Sequence, residues 1–419
     1  MHFRWKAARV FYGWWIVAAS FLVALYVGGV VFYGFTAIFE PIADDLGWSY
    51  TQISLAASLR GIEMSLLAPV IGMLVDRLGP RKLVFGGAIM TAAGLALLSR
   101  TDSLAMFYGA FFVITIGMSG CSLTVLMTAI ANWFRRSVGK ATGVAASGFG
   151  FGGLVVPLVV RLIDAYDWRT AMLLLGLGML VLVLPLALLF RHRPEQYGYL
   201  PDGEAVPPVL DSAPTQAQTG EVNVGAREAL RRSTFWRMAV GFTYHVLVLT
   251  AVVTHVMPYL SSIGVARAKA SVVATLVPVT SIAGRLGFGW LGDRFDRRRL
   301  AAIGFAMMGL GTLCFAYAAP TSPWLLILFV ALFGIGYGAN NVLRPSLVRE
   351  LFGRTSFGAV LGFMIGINML GGIVGPPLAG WVFDNWGSYQ GIWLLFAGLG
   401  VAAVVSILTV PHARLADQD

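Results

Sequence analysis

The chain is poor in charge. Asp, Glu, Lys and Arg make up 12% of its 419 residues and hydrophobic residues 58%, where soluble domains carry roughly 25% charged residues. Six stretches (10–39, 103–134, 238–266, 300–343, 355–383 and 385–413) contain none of the four. That shortage excludes two or three soluble domains and implies a surface that faces lipid. Each stretch exceeds the roughly 20 residues that cross a bilayer core of about 30 Å. The stretch 300–343 suffices for two crossings, with Pro320 and Pro323 marking the turn between them.

Cysteine is scarce as well. Cys121 and Cys314 both lie in apolar runs, so no disulfide framework is implied. No GxxxxGK[ST] loop is present, which excludes ATP hydrolysis by this chain. Neither HExxH nor a Cys/His metal spacing occurs, and the five histidines are scattered, so neither a metal nor a cofactor is expected. With no nucleophile–base pair in view, the chain does not read as an enzyme. The basic start MHFRWKAARV is followed by an apolar run too long for a signal peptide and without a cleavage site, so it reads as the first helix.

What remains is an all-α integral membrane protein. Helices are predicted at 11–39, 49–75, 83–100, 105–130, 139–162, 168–190, 235–261, 268–292, 300–319, 323–346, 356–382 and 388–410. The 50 glycines fit close packing of such helices. With both termini cytoplasmic, 23 Lys and Arg (Arg344 among them) fall on the cytoplasmic side and 5 on the other, leaving Arg60 and Arg285 inside the spans. An imbalance of this size in short loops sets orientation. The net charge of +10 is therefore topological, and no nucleic-acid partner is expected.

An internal repeat divides the chain. GMLVDRLGPRKL (72–83) returns as GWLGDRFDRRRL (289–300), 217 residues later. NWFRRSVGKATGVAASGFGFGG (132–153) aligns with LFGRTSFGAVLGFMIGINMLGG (351–372), and DAYDWRTAMLLLG (164–176) with DNWGSYQGIWLLFAG (384–398). Two parallel six-helix bundles follow, at 1–190 and 234–419, in a known transporter arrangement. Between them, 191–233 is a cytoplasmic linker, polar and holding Pro194, Pro201, Pro207, Pro208 and Pro214. Its end, AREALRRSTFWRM, reads as a short basic helix on the membrane surface.

Gly72, Asp76, Arg77, Gly79, Arg81 and Lys82 compose a motif that resembles the signature of the major facilitator superfamily. Other segments are similar to the monocarboxylate transporter group and its bacterial relatives, the oxalate/formate antiporter-like proteins. These are YGWW (12–15), NWFRRSVGKATGVAASG (132–148), PEQYGYLPDG (194–203), THVMPYLSSIG (254–264) and GRLGFGWLGDR (284–294). The resemblance implies twelve helices in two pseudo-symmetric bundles and secondary active transport by alternating access. The expected cargo is a small organic anion, a monocarboxylate such as lactate moved with a proton. Exchange of organic anions of the oxalate/formate type is the alternative, and a non-transporting solute sensor a further one. A monomer in the cell inner membrane, with lipid, a small carboxylate and a proton as its only partners, is the expected setting.

Residues shared by both halves point to fold and gate. Asp76 and Asp293 each sit at the negative end of a helix and require a partner. The resemblance implies a cytoplasmic gate made with Arg77, Arg294, Arg135 and Arg136; topological anchoring is the plainer role of the arginines.

Residues found in one half are better candidates for substrate. Arg285 lies eight residues before Asp293, about 12 Å into the membrane. An arginine there costs about 2.5–3.5 kcal/mol on insertion scales and normally faces a cavity. It keeps its proton, and its fork matches a carboxylate. The resemblance implies a substrate-pairing role for it, against a structural ion pair. Tyr337, Asn340 and Asn341 in helix 10 are candidate hydrogen-bond donors, or interhelical glue. For proton coupling the candidates are Glu63 with Arg60, spaced i, i+3 on helix 2, together with His245 and His255 in helix 7. Mutual neutralisation of Arg60 and Glu63, and plain packing of the histidines, stand as alternatives. Tyr33 occupies the place where the resemblance puts a helix-1 lysine, and joins the substrate candidates. Ser281 occupies the place of an aspartate one turn before Arg285. The coupling groups of the animal relatives are thus absent here.

Overall fold

The structure, a computed structural model, describes residues 11–134, 138–192, 194, 226–352 and 357–411. The Asp76 side chain, Arg135, Arg136 and most of the 191–233 segment lie outside that set. Within it the chain is built from helices.

Eleven helices among the described residues are long and apolar enough to cross a membrane. They are α1 (Gly13–Leu46), α3 (Pro80–Leu98), α4 (Leu104–Trp133), α5 (Lys140–Tyr166), α6 (Trp168–Leu189), α7 (Ser233–Ser262), α8 (Arg267–Gly292), α9 (Arg297–Ala316), α10 (Pro323–Phe352), α11 (Val360–Trp386) and α12 (Gln390–Leu408). The remaining long helix, α2 (Tyr50–Leu78), has 29 residues, ample for a crossing. It is less apolar because it carries Arg60, Glu63, Asp76 and Arg77. Twelve spans in two pseudo-symmetric bundles result. A short helix, Ala226–Arg231, precedes α7, with Arg232 paired to Glu228 at 2.7 Å.

Two spans, α1 and α10, run furthest past their expected ends. α1 continues past Phe39 through Glu40, Asp44 and Asp45 until Gly47, at φ 66°, ends it in the left-handed conformation. α10 continues past 346 to Phe352, straight through Pro345. Inside α1, residues Gly28–Tyr33 form a π-helical turn. There α1 crosses α5, whose backbone tightens into a 3-10 turn at Gly152–Val155. A Cβ on Gly152 would stand 2.7 Å from the Gly29 nitrogen, so these two backbones touch and no larger residue fits.

The two ends of the molecule differ. Away from the arginine-rich loops the halves are sewn together. Ser49 and Gln52 form a capping box at the start of α2. Asp384 of α11 reaches across and accepts the N–H groups of Tyr50 at 2.9 Å and Thr51 at 2.8 Å. Arg267, first residue of α8, pairs with Asp164 of α5 at 3.1 Å and donates to the Ala37 carbonyl. Ser261 donates to Glu40 at 3.0 Å. Tyr50 stacks on Phe383 with ring centroids 4.6 Å apart, and Phe383 on Tyr389 at 4.5 Å. At the arginine-rich end no hydrogen bond or ion pair joins the halves among the described residues. A Cβ on Gly72 of α2, Gly143 of α5, or Gly362 and Gly366 of α11 would meet nothing within 4 Å. Leu66 of α2 is 70% exposed and Leu286 of α8 is 71% exposed.

Candidate functional site

At mid-span, four of the predicted residues come together. Arg285 of α8 donates through Nη2 to the Tyr337 hydroxyl of α10 at 3.3 Å, and its guanidinium carbon lies 5.7 Å from that ring's centroid. The Tyr337 hydroxyl stands 3.4 Å from that of Tyr33 on α1, linking the halves. His245 of α7 faces the Tyr337 ring at 5.8 Å between centroids. Tyr33, Tyr337 and His245 are all buried.

Local packing explains why these groups meet. A Cβ on Gly338 would overlap the Ser281 carbonyl and stand 3.0 Å from the Arg285 nitrogen, so only glycine lets α10 lie against α8 here. The contact brings Tyr337, one residue earlier, to Arg285. The π-helical turn of α1 ends on Tyr33. Such turns re-aim side chains and recur at functional sites.

The cluster is under-satisfied. Arg285 Nε and His245 Nδ1 are buried without a hydrogen-bond partner. Among the described residues no carboxylate pairs with Arg285. Buried polar atoms are rarely left unpaired, and those that are call for an occupant or a role.

Other candidates are placed differently. Asn341 donates to the Tyr337 carbonyl of its own helix at 3.3 Å. Asn340 is turned toward α9, with Nδ2 3.9 Å from the Met308 sulfur and the side chain against Gly304. Arg60 and Glu63 do not neutralise each other. The Arg60 Nη1 donates to the Val31 carbonyl at 2.9 Å, and its cation lies 4.7 Å from the Phe32 ring centroid. A π-face and a carbonyl thus replace the carboxylate as its partners. Glu63 lies beside Thr115 of α4, with Oε2 buried and unpartnered.

His255 lies at the sewn end of the spans. Its Nε2 is 2.9 Å from the Pro376 carbonyl and 3.0 Å from Ser54 Oγ, and its Nδ1 is 2.9 Å from the Tyr389 hydroxyl. A carbonyl only accepts, so Nε2 carries the hydrogen and Nδ1 accepts from Tyr389. Every ring nitrogen is used. At the arginine-rich end, Arg77, Asp293 and Arg294 are exposed, and Arg294 lies over the Trp290 ring at 4.0 Å.

Arg344, counted with the cytoplasmic-side cations and expected two residues before the end of helix 10, lies deeper in the helix: α10 extends eight residues beyond it, about 12 Å. Its Nε is also buried and unpartnered. The available signal was its spacing of seven from Tyr337, which puts both on one face of α10.

The family profile described as Major Facilitator Superfamily matches residues 16–269 and 246–418. Monocarboxylate transporter 12 of Rattus norvegicus is 28% identical over 97% of this chain and 86% of its own. Monocarboxylate transporter 13 of Bos taurus is 27% identical, covering 96% and 90%. The oxalate:formate antiporter of Oxalobacter formigenes is 24% identical, covering 89% and 86%. Among solved structures, a bacterial homologue of the human lysosomal transporter Spinster, inward-facing and unoccupied, superposes with TM-score 0.71 at 16% identity, covering 95% of each chain. The nucleoside transporter NupG gives TM-score 0.72 at 16% identity, covering 95% of this chain and 99% of its own.

Proposed function

Because the chain belongs to the Major Facilitator Superfamily, whose members related to it are membrane transporters and not enzymes, we propose that it moves a small carboxylate anion by alternating access, with Arg285 as the anion's anchor. One observation carries this reading: a permanent cation at mid-span whose Nε is buried with no partner, beside a tyrosine hydroxyl that also reaches the other half. A cation left unpaired in such a place is costly. A carboxylate accepting from Arg285 and Tyr337 together removes that cost.

The leading form is symport of a monocarboxylate such as lactate with a proton. Glu63 and His245 are the proposed proton carriers, since each holds a buried polar atom without a hydrogen-bond partner. Arg60 then holds α1 to α2, and His255 holds the far seal. Sidedness follows the positive-inside rule. With the arginine-rich end cytoplasmic, the ties of Asp384 and Asp164 at the other end support a state closed outward. The gate of Asp76, Arg77, Asp293, Arg294, Arg135 and Arg136 belongs to the opposite state, in which the arginine-rich ends meet. The bundles are taken as 1–190 and 234–419 and the membrane as a cell inner membrane.

Anion exchange is the second reading. It is favoured by the lack of any carboxylate paired with Arg285 among the described residues, because a fixed cation neutralised by anions in both directions needs no proton.

Uptake of labelled lactate and a panel of small carboxylates into proteoliposomes under an imposed pH gradient decides between them. Gradient-driven uptake that Arg285→Ala abolishes supports symport. Uptake that ignores the gradient and requires an internal anion supports exchange. If no carboxylate moves and Arg285→Ala is without effect, the anion reading is wrong.

A further inference from the structure

Arg60 lies ten residues into α2, about 15 Å along its axis, and is only 5% exposed. A cation at such a depth is costly and requires partners. Glu63 is turned to Thr115, and the contacts of Arg60 fall instead on one short stretch of α1. Its Nη1 donates to the Val31 carbonyl at 2.9 Å. Its guanidinium carbon lies 4.7 Å from the Phe32 ring centroid and 5.9 Å from that of Phe35. Val31 and Phe32 belong to the π-helical turn Gly28–Tyr33.

A π-helical turn is rare, and it spreads the ladder of backbone hydrogen bonds so that a side chain can enter. Two neighbours hold this one. On the α5 side the backbones of Gly29 and Gly152 touch. On the α2 side Arg60 takes a carbonyl from within the turn and covers the ring of the next residue. The turn ends on Tyr33, whose ring packs on Phe32 at 5.1 Å and on Phe149 at 5.5 Å between centroids. The Tyr33 hydroxyl stands 3.4 Å from that of Tyr337, to which Arg285 donates at 3.3 Å. Every step from Arg60 to the anion's anchor is thus a direct contact: cation on ring, ring on ring, hydroxyl to hydroxyl, hydroxyl to guanidinium.

We infer that Arg60 is a positioning residue for the anion site: by holding the π-helical turn of α1 it aims the Tyr33 hydroxyl at Tyr337, and it takes no part in proton transfer. The inference rests on the proposal that the Arg285 site holds the transported anion.

Concentration-dependent uptake of labelled lactate by the full-length protein in proteoliposomes, run as a double-mutant cycle, tests it. Arg60→Gln is expected to raise KM about threefold, the scale of one neutral hydrogen bond, and to leave the maximal rate within about twofold. Tyr33→Phe is expected to raise KM by a similar factor. In the double variant the two increases should not multiply, because Arg60 acts through the hydroxyl already removed. Arg60→Lys keeps a cation for the Phe32 ring and a donor for the Val31 carbonyl, and should recover most of the loss. Any response of the wild type to an imposed pH gradient should persist in Arg60→Gln. If Arg60→Gln does not fold, Phe32→Leu, which removes the ring beneath the cation, takes its place in the cycle with the same expectation. Increases that multiply, an unchanged KM, or a lost gradient response overturn the inference while the anion site stands. A wild type that moves neither lactate nor any other small carboxylate overturns the anion reading and this inference with it.

Discussion

The carboxylate of Asp384 accepts the backbone N–H of Thr51 at 2.8 Å, so the last turns of α11 in one half cap the first turn of α2 in the other. The same carboxylate takes the N–H of Tyr50 at 2.9 Å. A negative charge on a helix N-terminus is favourable, and its hydrogen bonds here are charge-assisted. Asp164, the counterpart of Asp384 in the internal repeat, holds Arg267 at the start of α8 at 3.1 Å. Opposite pairs of helix ends are thus tied by equivalent aspartates.

Both ties must break for the sewn end to open. Asp384→Asn is therefore expected to raise the share of molecules open at that end. A cysteine at Thr36, buried here with its hydroxyl accepting from the Met257 N–H, is expected to react several-fold faster with an impermeant maleimide in the Asp384→Asn background. Cys121 and Cys314 are replaced beforehand. Equal rates in both backgrounds argue that Asp384 does not hold this end shut.

Tyr337→Phe removes the hydroxyl to which Arg285 donates. A hydrogen bond involving a charged group contributes about 1.5–3 kcal/mol. The expected result is a rise in transport KM of about tenfold or more. Tyr33→Phe is expected to do less, because its hydroxyl reaches Tyr337 only at 3.4 Å. Concentration-dependent uptake by the two variants gives the comparison.

Gly338→Ala forces a methyl group onto the Ser281 carbonyl. Over-packing of this kind costs about 1–3 kcal/mol. A lower melting temperature is expected, together with weaker anion binding, since any shift of α10 moves Tyr337 from Arg285. An alanine at Gly72, where a Cβ meets nothing within 4 Å, serves as the control and should leave the melting temperature nearly unchanged.

Much of the scaffold could be read from the chain itself. The charge-free runs located the spans because a bilayer excludes charge more strictly than a soluble core does. The limits of α1 and α10 were misjudged for the same reason. Glu40, Asp44 and Asp45 were taken for loop residues, yet they lie on the last turns of α1, where Ser261 holds Glu40 and Arg169 holds Asp45. Arg344 was counted with the cytoplasmic-side cations because helix 10 was expected to end two residues after it, and it runs to Phe352. Which faces turn inward was illegible, since helices apolar on every side carry no periodic signal. Arg285 and Tyr337 stood out by chemistry. Their meeting depends on how closely α8 and α10 approach at Gly338, which is a property of packed backbones. Arg60 shows the converse: its spacing from Glu63 suggested a partner, but the rings of α1 and the Val31 carbonyl lay nearer.

The π-helical turn at Gly28–Tyr33 gives α1 one residue more than an α-helix would hold over the same length. A residue of an α-helix turns through about 100°. Were that surplus residue taken up into regular α-helix, everything beyond it would swivel by about this angle relative to the first half of α1. Tyr33 would leave Tyr337, and Thr36 would leave Met257. Loss of contact at the anion site and loosening of the far seal would then be a single rotation of one rod, with no lever needed between them.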